Sequence, residues 1–395
     1  MAPFARNMAE IRLKSEGIAN NAHSESNQAD GSSIYIMEGR IDPDWMVAVV
    51  PHGGYLIALI VQACNLVQAT TKQAEVLYLS TQFIGPSTPG PCTITIQRIK
   101  SGKNYSNLVA NLSQAGKDNI HCQLIYGTLN VAKHPFGPFP ASSNYLTLAH
   151  PSAMSRRCPL VTHPSKCTIS PFKHRPYTFA KHLAQAIDPY YATTLESQTH
   201  GHASTNPMDL GGGGSVWGAW FQMKNEEDIS STPLAAFLAD VSPEFIPKGS
   251  KQSPVWLPTL GLTMDFKHRT PSQAPGIAPR TFGVFLTSKF LIEGRHDLTC
   301  EVWTAPCEIG EGTEQVGWQD RMFCIASSTQ TWEVANRDGY LQFISCFRRD
   351  MAPFSNSLAI IKQQRNNTLK IINDIELNPL LNHSIYCSTD VSLVI

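Results

Sequence analysis

The feature that most constrains this chain is a helix with almost no polar side. Tyr55-Leu56-Ile57-Ala58-Leu59-Ile60-Val61-Gln62-Ala63-Cys64-Asn65-Leu66-Val67 is apolar nearly all round, so it has to be covered on most faces. Pro51-His52-Gly53-Gly54 stands before it, the punctuation expected ahead of a helix. After it the periodicity switches to two. Glu75 to Phe83, Cys92 to Lys100, Tyr105 to Ser113 and Ile120 to Leu129 read as strands, parted by Gly- and Pro-bearing turns. A short strand at Ser33 to Met37 precedes the helix.

The order then recurs. Val216 to Met223 reads as a strand, entered through the glycine run Gly211 to Gly214. Pro233 to Asp240 has helical spacing, with Pro233 at a plausible first turn. Strands follow at Gly261 to His268, Gly283 to Glu293, Asp297 to Thr304 and Met322 to Val334. Strand, helix and four strands, twice over, predict an α+β double hotdog: two antiparallel sheets, each wrapped around a central helix. The expected boundaries are a polar N-terminal segment 1–31, a first hotdog 32–133, a linker or insertion 134–206, a second hotdog 207–335 and a tail 336–395. The insertion is dense in Pro, Ser, His and Thr, with one brief helical possibility at Phe179 to Ile187.

At 395 residues and 42% hydrophobic, the chain is long enough for two domains. Its 31 basic and 31 acidic side chains balance, so nothing supplies the positive field that nucleic acid requires. The longest apolar run is too short to span a bilayer, and residues 1–30 carry no continuous apolar stretch of the signal-peptide kind. A cytoplasmic protein is therefore expected, with reduced thiols. The ten cysteines include no Cys-x-x-Cys pair, and the histidines of the insertion lack ligand spacing, so neither a metal nor another cofactor is expected.

A family resemblance becomes specific at this point. Pro51-His52-Gly53-Gly54-Tyr55, Leu77 to Phe83, Ile99 to Ser106 and Gln114 resemble the first half of thioesterase-like double-hotdog proteins. Trp217-Gly218-Ala219-Trp220, Leu234 to Asp240, Thr263-Met264-Asp265, Glu301-Val302-Trp303 and Ala326 to Gln330 resemble the second half, in the same order. The resemblance is nearest to the fungal-type branch and more distant to acyl-CoA thioesterase II. It implies an acyl-CoA or similar acyl substrate, a homodimer, and a catalytic group of an Asp late on the second helix, a Thr in Thr-x-Asp and a Gln on the last strand. Those positions match Asp240, Thr263 and Gln330. A carboxylate could deprotonate water, Thr and Gln could hold it, and the helix start at Gly53, Gly54 and Tyr55 could contact substrate or stabilise an oxyanion.

Each residue also has a plainer reading. Asp240 could simply end a helix, Thr263 could be an ordinary strand residue, and Gln330 alone means nothing. His52 departs from the bacterial enzyme, in which an apolar residue is expected. A His on the first half facing an Asp on the second resembles polyketide dehydratases, so dehydration, isomerisation or cyclisation by His52 and Asp240 is the alternative. The fuller pattern His-x-x-x-Gly is absent, because Leu56 stands four residues after His52. Trp217 takes the last position of an otherwise Gly-x-Ser-x-Gly stretch, which leaves a nucleophile elbow unsupported.

Overall fold

The helix Gly53–Gln68 is buried as its composition requires, with every residue from Gly54 to Val61 inside the protein. The computed structural model describes residues 3–18, 33–129, 156–172, 177–192, 215–241, 258–269 and 275–333, all within one folded unit. The glycine run and the tail beyond 335 lie outside the described residues.

Around the helix stand fifteen described strands. They are β1 (Arg12–Ile18), β2 (Ser33–Ile41), β3 (Met46–Val47), β4 (Val50–Pro51), β5 (Glu75–Phe83), β6 (Gly90–Ser101), β7 (Ser106–Gln114), β8 (Lys117–Gly127), β9 (Leu183–Ile187), β10 (Ser215–Met223), β11 (Thr259–Phe266), β12 (Thr281–Ser288), β13 (Leu291–Ile292), β14 (Arg295–Thr304) and β15 (Cys324–Glu333). All but the β3–β4 pair form one sheet in the order β1-β2-β6-β7-β8-β5-β11-β15-β14-β12-β10-β9, with β13 beside β14. The two halves meet at β5 and β11, where Gly261 pairs with Gln82 and Asp265 with Tyr78, antiparallel. Two-residue loops with positive φ at both positions, Ala115-Gly116 and Glu293-Gly294, close the hairpins β7–β8 and β13–β14.

The second helix is Thr232–Leu238, capped by the Ser231 hydroxyl accepting from the Leu234 N–H, with Pro233 in its first turn. It crosses the first helix backbone to backbone. A Cβ on Gly54 would stand 2.6 Å from the Phe237 carbonyl oxygen and 2.7 Å from the Asp240 Cβ, so only glycine permits that approach.

Two segments are built into the fold more fully than expected. Residues 4–9 are helical with Phe4 buried, held by the Asp228 carboxylate, which accepts from the Phe4 and Ala5 N–H groups. β1 then extends the sheet. Within 134–206, Cys158, Leu160 and Phe179 are core residues, and the expected helix at Phe179 to Ile187 is instead a 3-10 turn, Thr178–Lys181, followed by β9. β9 pairs with β10, so inter-strand hydrogen bonds override the local helical spacing. Among the described residues no helix is long and apolar enough to cross a membrane.

Candidate active site

Asp240 lies two residues past the end of the second helix rather than on it, its N–H bonded to the Phe237 carbonyl. Its side chain points at the start of the first helix, where the Gly54 N–H donates to Oδ2 at 2.6 Å. The residue is only 7% exposed, and Oδ1 is buried without a hydrogen-bond partner. Burial pushes this carboxyl up to about 7, against the opposing pull of the Gly54 N–H and, more weakly, the Thr259 side chain. A carboxyl that titrates near neutrality is equipped to take and return a proton.

His52 is the residue preceding that helix and is 5% exposed. Its Nδ1 lies 3.7 Å from Asp240 Oδ2, too far for a hydrogen bond, and has no other partner. The ring is packed edge-on against Phe179 and Phe237, with centroids 5.2 and 5.1 Å away. Burial drives the imidazole down to about 3, so it is neutral at physiological pH, although the Asp240 backbone pulls the other way. Two unsatisfied polar atoms, Asp240 Oδ1 and His52 Nδ1, thus mark one buried locus that a polar ligand would satisfy.

Gln330 reaches the same locus from β15. It is 1% exposed; its Nε2 donates to the Ala239 carbonyl at 2.7 Å and its Oε1 accepts from Trp332 Nε1 at 2.6 Å. Ser328 Oγ donates to the same Ala239 carbonyl at 3.0 Å. These bonds fix the turn that carries Asp240.

Thr263 is not brought there. On β11 the buried residues are Leu262, Met264 and Phe266, so Thr263 faces the opposite side of the sheet, where its hydroxyl lies 3.5 Å from the Thr329 carbonyl. The threonine on the Asp240 side is Thr259. A bulge between Thr259 and Gly261 shifts the parity of the strand and sets Thr259 opposite Trp332, on the face that also carries Gln330 and Ser328. No sequence signal marked it, because β11 was expected to start at Gly261.

The helix-start residues also separate. Gly54's N–H is committed to Asp240, leaving Gly53's, the first of the helix, without an acceptor among the described residues. The Tyr55 hydroxyl bonds with Asn7 and accepts from the Asp42 N–H at 3.1 Å, within a core network rather than with Asp240.

A buried carboxyl aimed at a helix start, inside a helix-bearing antiparallel sheet, is the candidate site, and family models identify the class of protein that carries it. The acyl-CoA thioesterase N-terminal domain matches residues 41–129 and the acyl-CoA thioesterase C-terminal domain matches residues 164–306, together more than half of the chain. The chain belongs to the acyl-CoA thioesterase family of hydrolases. Among solved structures, a candidate thioesterase II from Thermobifida fusca is 16% identical with a TM-score of 0.53, covering 81% of this chain and 100% of its own. A hot dog fold protein of unknown function from Alicyclobacillus acidocaldarius is 14% identical with a TM-score of 0.52, covering 78% and 95% respectively. At these identities the likeness is one of fold. No curated protein matches the chain.

Proposed function

We propose that this chain hydrolyses acyl-CoA or a related acyl thioester, with Asp240 as general base. The observation that carries the reading is the buried carboxyl raised to about 7 and anchored by the Gly54 N–H. Asp240 takes a proton from water as the water oxygen bonds to the thioester carbonyl carbon. The carbonyl π electrons move to oxygen, and the free Gly53 N–H receives the oxyanion at the positive end of the helix. Because Asp240 has just become neutral, the oxyanion meets no adjacent like charge. Collapse restores the C=O bond and breaks the C–S bond, and the departing thiolate recovers the proton. Thr259 orients the attacking water beside the carboxylate, and Gln330 holds the turn. We read the two halves, 32–133 and 207–335, as fused hotdogs, and the assembly as a cytoplasmic homodimer.

The 3.7 Å approach of His52 to Asp240 favours one second reading: dehydration, isomerisation or cyclisation of a polyketide-like intermediate by that pair. Thiol release from short, long and aromatic acyl-CoAs separates the two. Hydrolysis predicts release that falls about 10- to 100-fold in Thr259→Ala, the worth of one hydrogen bond to a charged group. Thr263→Ala is expected to stay near wild type, since its side chain lies on the other face of the sheet. Absence of thiol release from the whole panel would favour the second reading.

A further inference from the structure

We propose that Phe179 is the wall that limits the size of the acyl group at Asp240. The proposal rests on the hydrolytic reading and adds to it a residue that sets specificity. A thioester must place its carbonyl within a water's reach of the carboxylate, and the surroundings of that carboxylate are unequal. On one side stand Gly53 and Phe83, both half-buried. A Cβ on Gly53 would lie 2.8 Å from Asp240 Oδ2 and 3.1 Å from Phe83 Cζ, so the three are in direct contact. Gly53 and Phe83 are both more accessible than Asp240, so the bulky CoA moiety is assigned to this side. On the other side His52, Phe237 and Phe179 are buried and pack on one another, with Phe179 5.5 Å from Phe237 and 5.2 Å from His52. An acyl tail entering past Gly53 and running inward beyond His52 ends against the Phe179 ring, which is itself backed by Tyr177 at 4.9 Å and Phe172 at 5.9 Å.

Phe179 differs from its neighbours in what holds it. Phe237 belongs to the second helix and His52 leads into the first. Phe179 rides on the four-residue turn Thr178–Lys181, pinned to the first half by side chains. The Thr178 hydroxyl accepts from the Met46 N–H at 2.8 Å and donates to the Pro43 carbonyl at 3.0 Å. Lys181 Nζ and His182 Nε2 reach the two oxygens of the buried Asp44 at 2.5 and 2.9 Å. Within the turn the Phe179 carbonyl accepts from the His182 N–H at 2.8 Å, and the ring itself belongs to neither long helix nor strand, so the wall can be trimmed while both helices and the Asp240 turn persist.

The test compares wild type, Phe179→Ala and Phe179→Leu on a ladder of acyl-CoAs of increasing length. It runs in parallel with calorimetric binding of the matching non-hydrolysable acyl-CoA thioethers. Circular dichroism and melting establish that each variant is folded, and Phe179→Leu serves if the alanine variant is not. Each buried methylene is worth about fourfold in affinity. Removal of the ring should therefore raise the long-to-short ratio of kcat/KM by about tenfold or more, with the leucine variant intermediate and the same shift in thioether binding. An unchanged length profile in folded variants overturns the proposal even if wild type hydrolyses acyl-CoA well. A length shift in thioether binding with no CoA release by wild type supports the wall and removes the hydrolytic reading instead.

Discussion

Asp240→Asn is expected to lower CoA release by about 10²- to 10⁴-fold, the usual worth of a positioned base, while making the folded protein more stable. Both effects have the same origin. Burial raises the Asp240 carboxyl from its ordinary range to about 7, so the folded state binds a proton that the unfolded chain has already released. With the folded pKa above the unfolded one, the cost is absent below about pH 4, grows between about 4 and 7 and is constant above. Asparagine carries no charge to desolvate and can still accept from the Gly54 N–H. The gain in stability should therefore be close to zero near pH 4 and reach about 1–3 kcal/mol above pH 7, after allowance for relaxation of the site. Melting curves of both proteins across that range test the sign, and a gain that shrinks as pH rises would sink the argument. The same group sets the rate: kcat/KM of the wild type should climb through about pH 7 to a plateau, since only the carboxylate can accept the proton. His52 adds no charge in that window, being held neutral down to about 3.

Among the described glycines, Gly54→Ala should be the most damaging substitution. Its Cβ would fall 2.6 Å from the Phe237 carbonyl oxygen and 2.7 Å from the Asp240 Cβ, and neither is the end of a flexible side chain. The helices Gly53–Gln68 and Thr232–Leu238 must separate, which costs about 1–3 kcal/mol by overpacking. The 2.6 Å bond from the Gly54 N–H to the Asp240 carboxylate is stretched in the same movement. Activity should therefore fall further than stability alone explains. Gly17→Ala on β1, where nothing lies within 4 Å of the added carbon, is the control for a general glycine effect. Equal denaturation midpoints for Gly54→Ala and Gly17→Ala would show that the helix crossing is looser than these distances imply.

Much of the architecture was legible from local pattern. The all-apolar stretch from Tyr55 to Val67 required a buried helix, and period-two alternation marked β5 to β8. Pro233 announced the second helix. Where expectation and structure part, a long-range partner decided the matter. Phe179 to Ile187 has helical spacing, but Leu183–Ile187 pairs along its whole length with β10. The Thr263-Met264-Asp265 stretch has the residue types of a catalytic strand, yet a bulge two residues earlier gives the inward position to Thr259. Alternation reports that successive side chains face opposite ways; it does not report where an extra residue inverts them.

The amino-acid sequence by itself determined the order of elements, the burial of the first helix and the presence of Asp240, Gln330 and His52, because these depend on periodicity and residue type within short windows. Only the tertiary structure decided what those residues do to one another. Burial pushes the Asp240 carboxyl up to about 7, against the pull of a backbone N–H that lies 186 residues away along the chain and is brought to it only by the crossing of the two helices. Desolvation and distance are properties of the packed state, and no local stretch of sequence contains them.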